Sequence, residues 1–351
     1  MEYFWKKKTV LSFLAAGLIV AIHNSATMQF TVPTDGFSGV ADFLHKFFAY
    51  GLGGVAVPFF FFVSGIALFR NYRPSLYKEK MRSRFRSLVI PYLIWNMVGI
   101  LFAILYTWTP LSRIVSGREL FEPTISNVLG GIFLHKYNFH FWFMFDLIVY
   151  VVLTPAIDIM TRKKWSSGIL LVLLLILPAI KGEFLTINLS FTVFYALGCV
   201  VGRHYLGEVK VARPKAVSGA CGVVAIAVLV VRMLDIYGVV KITTVVAQGL
   251  LLLLLLALFV AADLWVRKAK PRKIYEEFFP VYVLHPYIIS VIVKVFHLLA
   301  PENSAILLLA EVAGTVITIV VAVWVVRVWH KKWPRFYGIS FLGRAQESRR
   351  P

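Results

Sequence analysis

The chain has 351 residues, of which 59% are hydrophobic and only 15% charged, with a formal net charge of +20 at pH 7. That composition excludes a soluble domain, and a mean hydropathy of +0.78 lies far on the membrane side. The two cysteines, Cys199 and Cys221, fall within or beside apolar runs and imply neither a disulfide framework nor a thiol metal site.

A helix needs about 20 apolar residues to cross the hydrocarbon of a bilayer. Ten candidates follow one another along the chain: 10–28, 47–69, 87–108, 141–160, 167–180 (the shortest), 189–204, 216–231, 245–262, 278–296 and 304–328. Lipid cannot satisfy bare backbone groups, so unalternating runs of this length must be helical. No spacer of domain size separates them. The sequence therefore predicts one all-α domain over residues 1–351, a polytopic membrane helix bundle of about ten transmembrane helices. Lys6, Lys7 and Lys8 precede the first run as in a secretory signal. The run is longer than a usual signal core and lacks an A-x-A-like end, so it is expected to be retained.

Lys and Arg stay on the cytoplasmic side of a membrane. With the N-terminus inside, the inner segments hold 29 of the 37 Lys and Arg residues and the outer segments 8. Both termini are thus expected to be cytoplasmic, in a multi-pass protein of the cell (inner) membrane. The excess charge lies along one membrane face, where topology and anionic membrane lipids account for it. Nucleic acid is not expected as a partner. The sharpest edge is YKEKMRSRFRSLVIPYLIWN (77–96), in which Lys78, Lys80, Arg82, Arg84 and Arg86 occupy nine residues before an apolar run begins. Arg70 and Arg73 close the preceding span on the same face.

Polar residues at membrane depth carry the remaining information. His23, followed by Asn24 and Ser25, falls about 20 Å from the inner edge of the first span at 1.5 Å per residue. A lone histidine there is either functional or an interhelical hydrogen-bonder. His140 opens the fourth span beside Trp142, which suits an interfacial belt, and Asp146 follows about 9 Å along the same helix. His285 lies in FFPVYVLHPYII (278–289), bracketed by Pro280 and Pro286, which free backbone carbonyls and often mark broken helices beside cavities. Glu311 is a further acid within a span. The outer loop 109–139 carries a short apolar piece, SNVLGGIFLH (126–135), which reads as a lid over an acceptor site or as a packing helix. Neither a Gly-rich phosphate loop nor H-E-x-x-H metal spacing is present.

Five blocks occur in order: LIVAIH (18–23), VPFFFFVSGIALF (57–69), RSRFRSLVIPYLIWN (82–96), HFWFMF (140–145) followed by Pro155, and VYVLHP (281–286). Together they resemble acyltransferase family 3, the integral-membrane sugar O-acyltransferases. The likeness is to bacterial O-acetyltransferases acting on cell-surface polysaccharides or their lipid-linked precursors. The resemblance implies an acyl-CoA donor, acetyl-CoA in the simplest case, used from the cytoplasm without a metal, and an envelope glycan or lipid-linked sugar as acceptor. Donor phosphates would meet Arg70, Arg73, Arg82, Arg84 and Arg86, since Arg suits planar bidentate phosphate contact. Tyr282, on the Pro-broken helix, would line the acyl path. His23 would be the base that takes the hydroxyl proton, with Asp146 and His285 as further catalytic groups. His140, Trp142 and Glu311 would serve the acceptor. Which acid or histidine orients His23 stays open, as does the oligomeric state.

One position departs from the family pattern. Ser12 stands eleven residues before His23, where the family usually has Arg or Lys, and Lys8 lies one turn earlier. Two other readings follow from the same residues. Intramembrane His, Asp and Glu would suit a transporter or flippase for a glycolipid or small polar solute, although no pairing of two related halves is visible. A catalytically inactive relative is the other, motivated by Ser12.

Overall fold

The protein is described from a computed structural model, which covers residues 1–27, 38–109, 120–184, 186–299 and 304–342. Met28 at the end of the first expected span, the start of the long outer loop (110–119) and the last basic residues (Arg344, Arg349, Arg350) lie outside the described residues. Helices dominate: α1 (Glu2–Thr27), α2 (Ser38–Lys46), α3 (Ala56–Phe69), α4 (Tyr77–Arg84), α5 (Ile90–Trp108), α6 (Ile125–Phe133), α7 (Trp142–Val152), α8 (Thr154–Thr161), α9 (Lys164–Ile180), α10 (Thr192–His204), α11 (Lys215–Ile236), α12 (Thr244–Ala261), α13 (Phe278–Leu299), α14 (Ser304–Lys332) and α15 (Pro334–Leu342). One two-stranded antiparallel hairpin, β1 (Glu183–Phe184) with β2 (Ile187–Asn188), joins α9 to α10, with Glu183 opposite Asn188.

Six helical stretches among the described residues are long and apolar enough to cross a membrane, and a bent pair raises the number to seven. The six are Ser38–Phe69, Pro74–Trp108, Lys215–Ile236, Thr244–Val266, Lys273–Val293 and Ser304–Lys332. The expected fourth span is the bent pair: Phe139–Val152 and Thr154–Thr161 meet at 62°. Pro155, which has no N–H to donate, stands in the first turn of α8 and accounts for the break. The expected fifth and sixth spans form helices of 17 and 13 residues. At 1.5 Å per residue these are about 26 and 20 Å long, shorter than a hydrocarbon core of about 30 Å. The chain is a multi-pass membrane protein built almost wholly of helices.

The interior is organised around α3. The most apolar part of the Ser38–Phe69 stretch that contains it is 72% buried, against 22% for Lys215–Ile236 and 28% for Thr244–Val266, which hold α11 and α12. The latter two present residues such as Val223, Ile226 and Leu253 outward, as lipid-facing helices do. Helix α10 lies directly against α3. A Cβ on Gly65 would collide with the Tyr195 carbonyl, and one on Gly198 with the Phe62 carbonyl. Small residues thus let two backbones touch where hydrophobicity alone gives no drive to associate.

Several basic segments gather at one end of the bundle and are knitted by buried acids. Asp263 accepts from Lys7 Nζ at 2.6 Å, from Tyr3 Oη at 2.5 Å and from the Arg213 N–H at 2.9 Å. Asp158 pairs with Arg162 at 2.9 Å and with Arg203. The Asp263 contacts tie the start of α1 to the segments that carry Asp263 and Arg213.

Candidate active site

Helix α1 runs between α3, α13 and α14, which carries His23 into the middle of the bundle. The residue after it sets its height. Asn24 is fully buried, and its Nδ2 donates to the Glu311 carbonyl at 2.8 Å, with the Ala310 carbonyl at 3.4 Å and Thr315 Oγ1 at 3.3 Å. Gly314 allows that approach, since a Cβ there would come within 3.1 Å of Asn24 Nδ2.

Three histidines meet at this level. The ring of His285 on α13 lies 5.0 Å from that of His23 and 5.5 Å from that of His140, centroid to centroid. His285 is wholly buried and His140 is 2% exposed. His23 is half-buried and touches Phe139 at 5.3 Å, which is itself exposed. His23 therefore has the exposed ring of Phe139 on one side and the buried ring of His285 on the other.

The segment that delivers His140 is pinned by an asparagine. After α6, His135 takes a positive φ of 50° and turns the chain back towards the bundle. Asn138 then donates from Nδ2 to the Trp95 carbonyl on α5 and accepts from Tyr287 Oη on α13 at 2.6 Å. Gly99 leaves the room it fills. The Tyr282 hydroxyl donates to the His140 carbonyl. Two tyrosines on either side of Pro286 thus hold the histidine segment. Asn24, Asn138 and Tyr287 were not singled out for such roles by sequence; the only signal was an amide beside a histidine and a Tyr after the His-Pro pair.

Below the histidines lies a cavity of about 260 Å³. Lys8 and Ser12 line it from α1, Ser64 from α3, Arg84 from the end of α4, and Tyr282 from α13, with Glu276 and Tyr337 also on its wall. Ser12 is fully buried and its Oγ has no hydrogen-bond partner among the described residues. The cavity begins at the basic end and reaches Tyr282, one helical turn from His285. Lys8 lies outside the apolar span; burial, and secondarily Arg84, pushes its ammonium down to about 8.

The expected donor-site arginines separate. Arg84 faces this cavity. Arg73, Arg82 and Arg86 are exposed, and Arg82 lines a neighbouring groove with Tyr77 and Met81. The Arg70 guanidinium stacks over Trp5 at 4.6 Å. The other expected residues make contacts elsewhere in the bundle. Asp146 is fully buried and accepts from the Asn188 N–H at 3.2 Å on the β-hairpin. Trp142 packs on Phe191 at 5.0 Å. Glu311 approaches His45 of α2 at 3.6 Å. The short helix α6 is N-capped by Thr124 and packs on α5, with Asn96 and Tyr92 donating to the Ile132 and Phe133 carbonyls. Among the described residues no group of three or more His, Cys, Asp or Glu is placed to hold a metal ion.

A family model described as an acyltransferase domain matches residues 10–327, nearly the whole chain. The chain belongs to acyltransferase family 3. No curated protein and no solved structure matches it. The match makes this bundle a membrane acyltransferase. An acyl donor and an acceptor must meet where a base can remove a proton. Within the chain, a cation-lined cavity ends one turn from a histidine cluster.

Proposed function

We propose that this protein is a membrane O-acyltransferase that moves an acyl group, acetyl in the simplest case, from cytoplasmic acyl-CoA to a hydroxyl of a cell-envelope sugar or its lipid-linked precursor. The observation that carries the reading is the cavity that Lys8 and Arg84 flank and Tyr282 closes, one helical turn from His285, whose ring lies 5.0 Å from that of His23. The basic end is read as cytoplasmic, with ten crossings and both termini inside, because Lys and Arg concentrate there.

In this reading Lys8 and Arg84 hold donor phosphates through charge-assisted contacts, and Arg70 stands behind them. Ser12, without another partner, offers its hydroxyl to the donor inside the cavity. This chain thus supplies a cation from Lys8 where Ser12 replaces the family's usual Arg or Lys. His23 takes the proton of the acceptor hydroxyl as its oxygen attacks the thioester carbonyl, and returns that proton to the departing thiol. Phe139, exposed beside His23, marks the side from which the sugar enters. His140 belongs to the same cluster and lines the acceptor's approach. Mass spectrometry of surface glycans from cells with and without the protein tests the reading. One added acyl group per modified sugar is expected, absent with His23→Ala. Unmodified glycans together with altered glycolipid distribution would point to a transporter instead.

A further inference from the structure

Next to the cavity beneath the histidines runs a second hollow. A groove of about 330 Å³ lies between the α4–α5 junction and the end of α7. Met81, Phe85 and Leu88 form one wall, and Ile148, Val151 and Val152 the other. Tyr77 stands at one end, where its hydroxyl reaches the Val152 carbonyl at 3.5 Å. From Tyr77 to Val89 the groove follows about 18 Å of helix at 1.5 Å per residue. That is close to the depth of one leaflet's hydrocarbon, half of a core of about 30 Å. Its lip is apolar and open: Phe85 is 54% exposed and Val152 58%.

Cations border this apolar floor. Arg82 lines the groove, and Arg86 follows four residues on, both of them exposed, with Phe85 between them. Helical positions four apart lie on one side of the helix. Between residues 70 and 86 the chain has seven Lys and Arg residues and one acid, Glu79. Among the described residues neither Arg82 nor Arg86 forms an ion pair. Arg84 turns the other way. It and Leu88 also line the cavity beneath the histidines, and so form the partition between the two hollows.

We propose that this groove binds one anionic phospholipid from the leaflet at the basic end, with an acyl chain between its two walls and the phosphate on Arg82 and Arg86. The inference goes beyond the acyl-transfer reading and does not depend on it. An apolar trough one leaflet deep, edged by unneutralised guanidinium groups, matches an anionic amphiphile. The chain covers the apolar walls, and the guanidinium forks suit the phosphate oxygens. A soluble anion would leave those walls bare. A zwitterionic lipid would bring its own cation towards the arginines. The seated lipid joins α4 to α7, and it gives a task to the two arginines that stand outside the cavity.

The test places full-length protein in phosphatidylcholine nanodiscs holding a small share of phosphatidylglycerol with a photoreactive diazirine on its acyl chain. Illumination should attach the label to peptides spanning 77–89 and 148–152. A basic residue beside an anionic membrane surface contributes about a fivefold preference. With two arginines, unlabelled phosphatidylglycerol should displace the label at least about tenfold better than phosphatidylcholine does. Arg82→Gln combined with Arg86→Gln changes only exposed side chains and should bring that preference within about twofold. Ile148→Trp fills the groove from the α7 side and should remove the label from both peptides. Equal labelling at Val223 and Ile226, which face outward from α11, would show an ordinary boundary lipid and overturn the proposal. Equal displacement by the two lipids, or a preference unchanged in the double arginine variant, would overturn it as well. Displacement by acyl-CoA would give the groove to the donor instead, and displacement by inorganic phosphate would reduce the arginines to a plain anion site. All of these arms read binding without turnover, so absence of acyl transfer would bear on the reaction alone.

Discussion

His23 and His285 come from the first and ninth apolar runs of the chain, and their rings lie 5.0 Å apart. Two polar rings brought together inside a bilayer are costly unless they serve a site. We predict that His23→Ala abolishes transfer and spares donor binding, because the proposed reaction holds the donor's charged part at the basic end. A general base contributes about 10²- to 10⁴-fold. Activity above about a tenth of wild type would remove His23 from that role, and loss of donor binding would make it structural.

A second prediction separates the arginines. Arg84 faces the cavity, whereas Arg82 and Arg86 are exposed. Hydrogen bonds to charged groups contribute about 1.5–3 kcal/mol, so Arg84→Gln should weaken donor binding by about ten- to a hundredfold. Arg82→Gln and Arg86→Gln should change it by less than about threefold, the scale of an exposed ion pair. Isothermal titration with acyl-CoA decides. Equal losses at all three positions would mean that a diffuse positive field, rather than a defined contact, attracts the donor.

The third concerns pH. Burial and Arg84 push Lys8 down to about 8. Phosphate binding needs the charged ammonium, which exists below that value. Donor affinity should therefore be full near pH 6.5 and fall as pH rises through about 8. Arg84 carries a guanidinium that stays charged across this range, and Tyr337, also on the cavity wall, is pushed upward, chiefly by burial. Neither of these two titrates in the window. Lys8→Arg should flatten the profile; a slope that persists in this variant would assign the titration to another group.

The helical class, the apolar runs and the family were legible because apolar length and ordered short blocks are local properties. The two short helices α9 and α10 were not distinguished from full spans, since burial against α3 tolerates the same composition as lipid does. The pairing of His23 with His285 needed tertiary packing to be seen. Asp146 and Glu311 looked like candidate partners for His23 because a buried acid demands one. The hairpin N–H of Asn188 and the ring of His45 answer that demand from segments that sequence spacing does not connect. Of seven cations between residues 70 and 86, charge pattern could not pick Arg84, because which of them turns inward depends on the α4–α5 junction.

Topology gives a fourth prediction. Reporters fused after Arg86, Lys164, Arg213 and Arg272 should all report the cytoplasm. Those near Asp35, Glu122, Asp235 and Glu302 should report the opposite side. The stringent positions flank α9 and α10, whose lengths of about 26 and 20 Å fall short of a bilayer core. A reporter at Lys181 found inside would turn this pair into a re-entrant unit and reduce the proposed ten crossings to eight.

The fifth prediction concerns the anchor that sets α1. Lys7 and Asp263 are 3% and 1% exposed, and Asp263 also accepts from Tyr3 and from the Arg213 N–H. Removing one member of a buried pair costs about 3–5 kcal/mol, because the other charge is left uncompensated. Asp263→Ala strands an ammonium and two further donors, so it should lower the melting temperature of the purified protein strongly. Lys7→Met leaves Asp263 with two donors and should cost less. The next residue on α1 is Lys8, turned about 100° around the helix by the 3.6-residue repeat, and it faces the cavity. Loosening the anchor lets α1 rotate, and Lys8 moves with it. Asp263→Ala protein that remains folded at low temperature should therefore bind donor more weakly, although Asp263 lies outside the cavity. Equal melting temperatures for the two variants would show that the ion pair, and not the shared acceptor, holds this end of the helix. Unchanged donor affinity would separate the register of α1 from the cavity it lines.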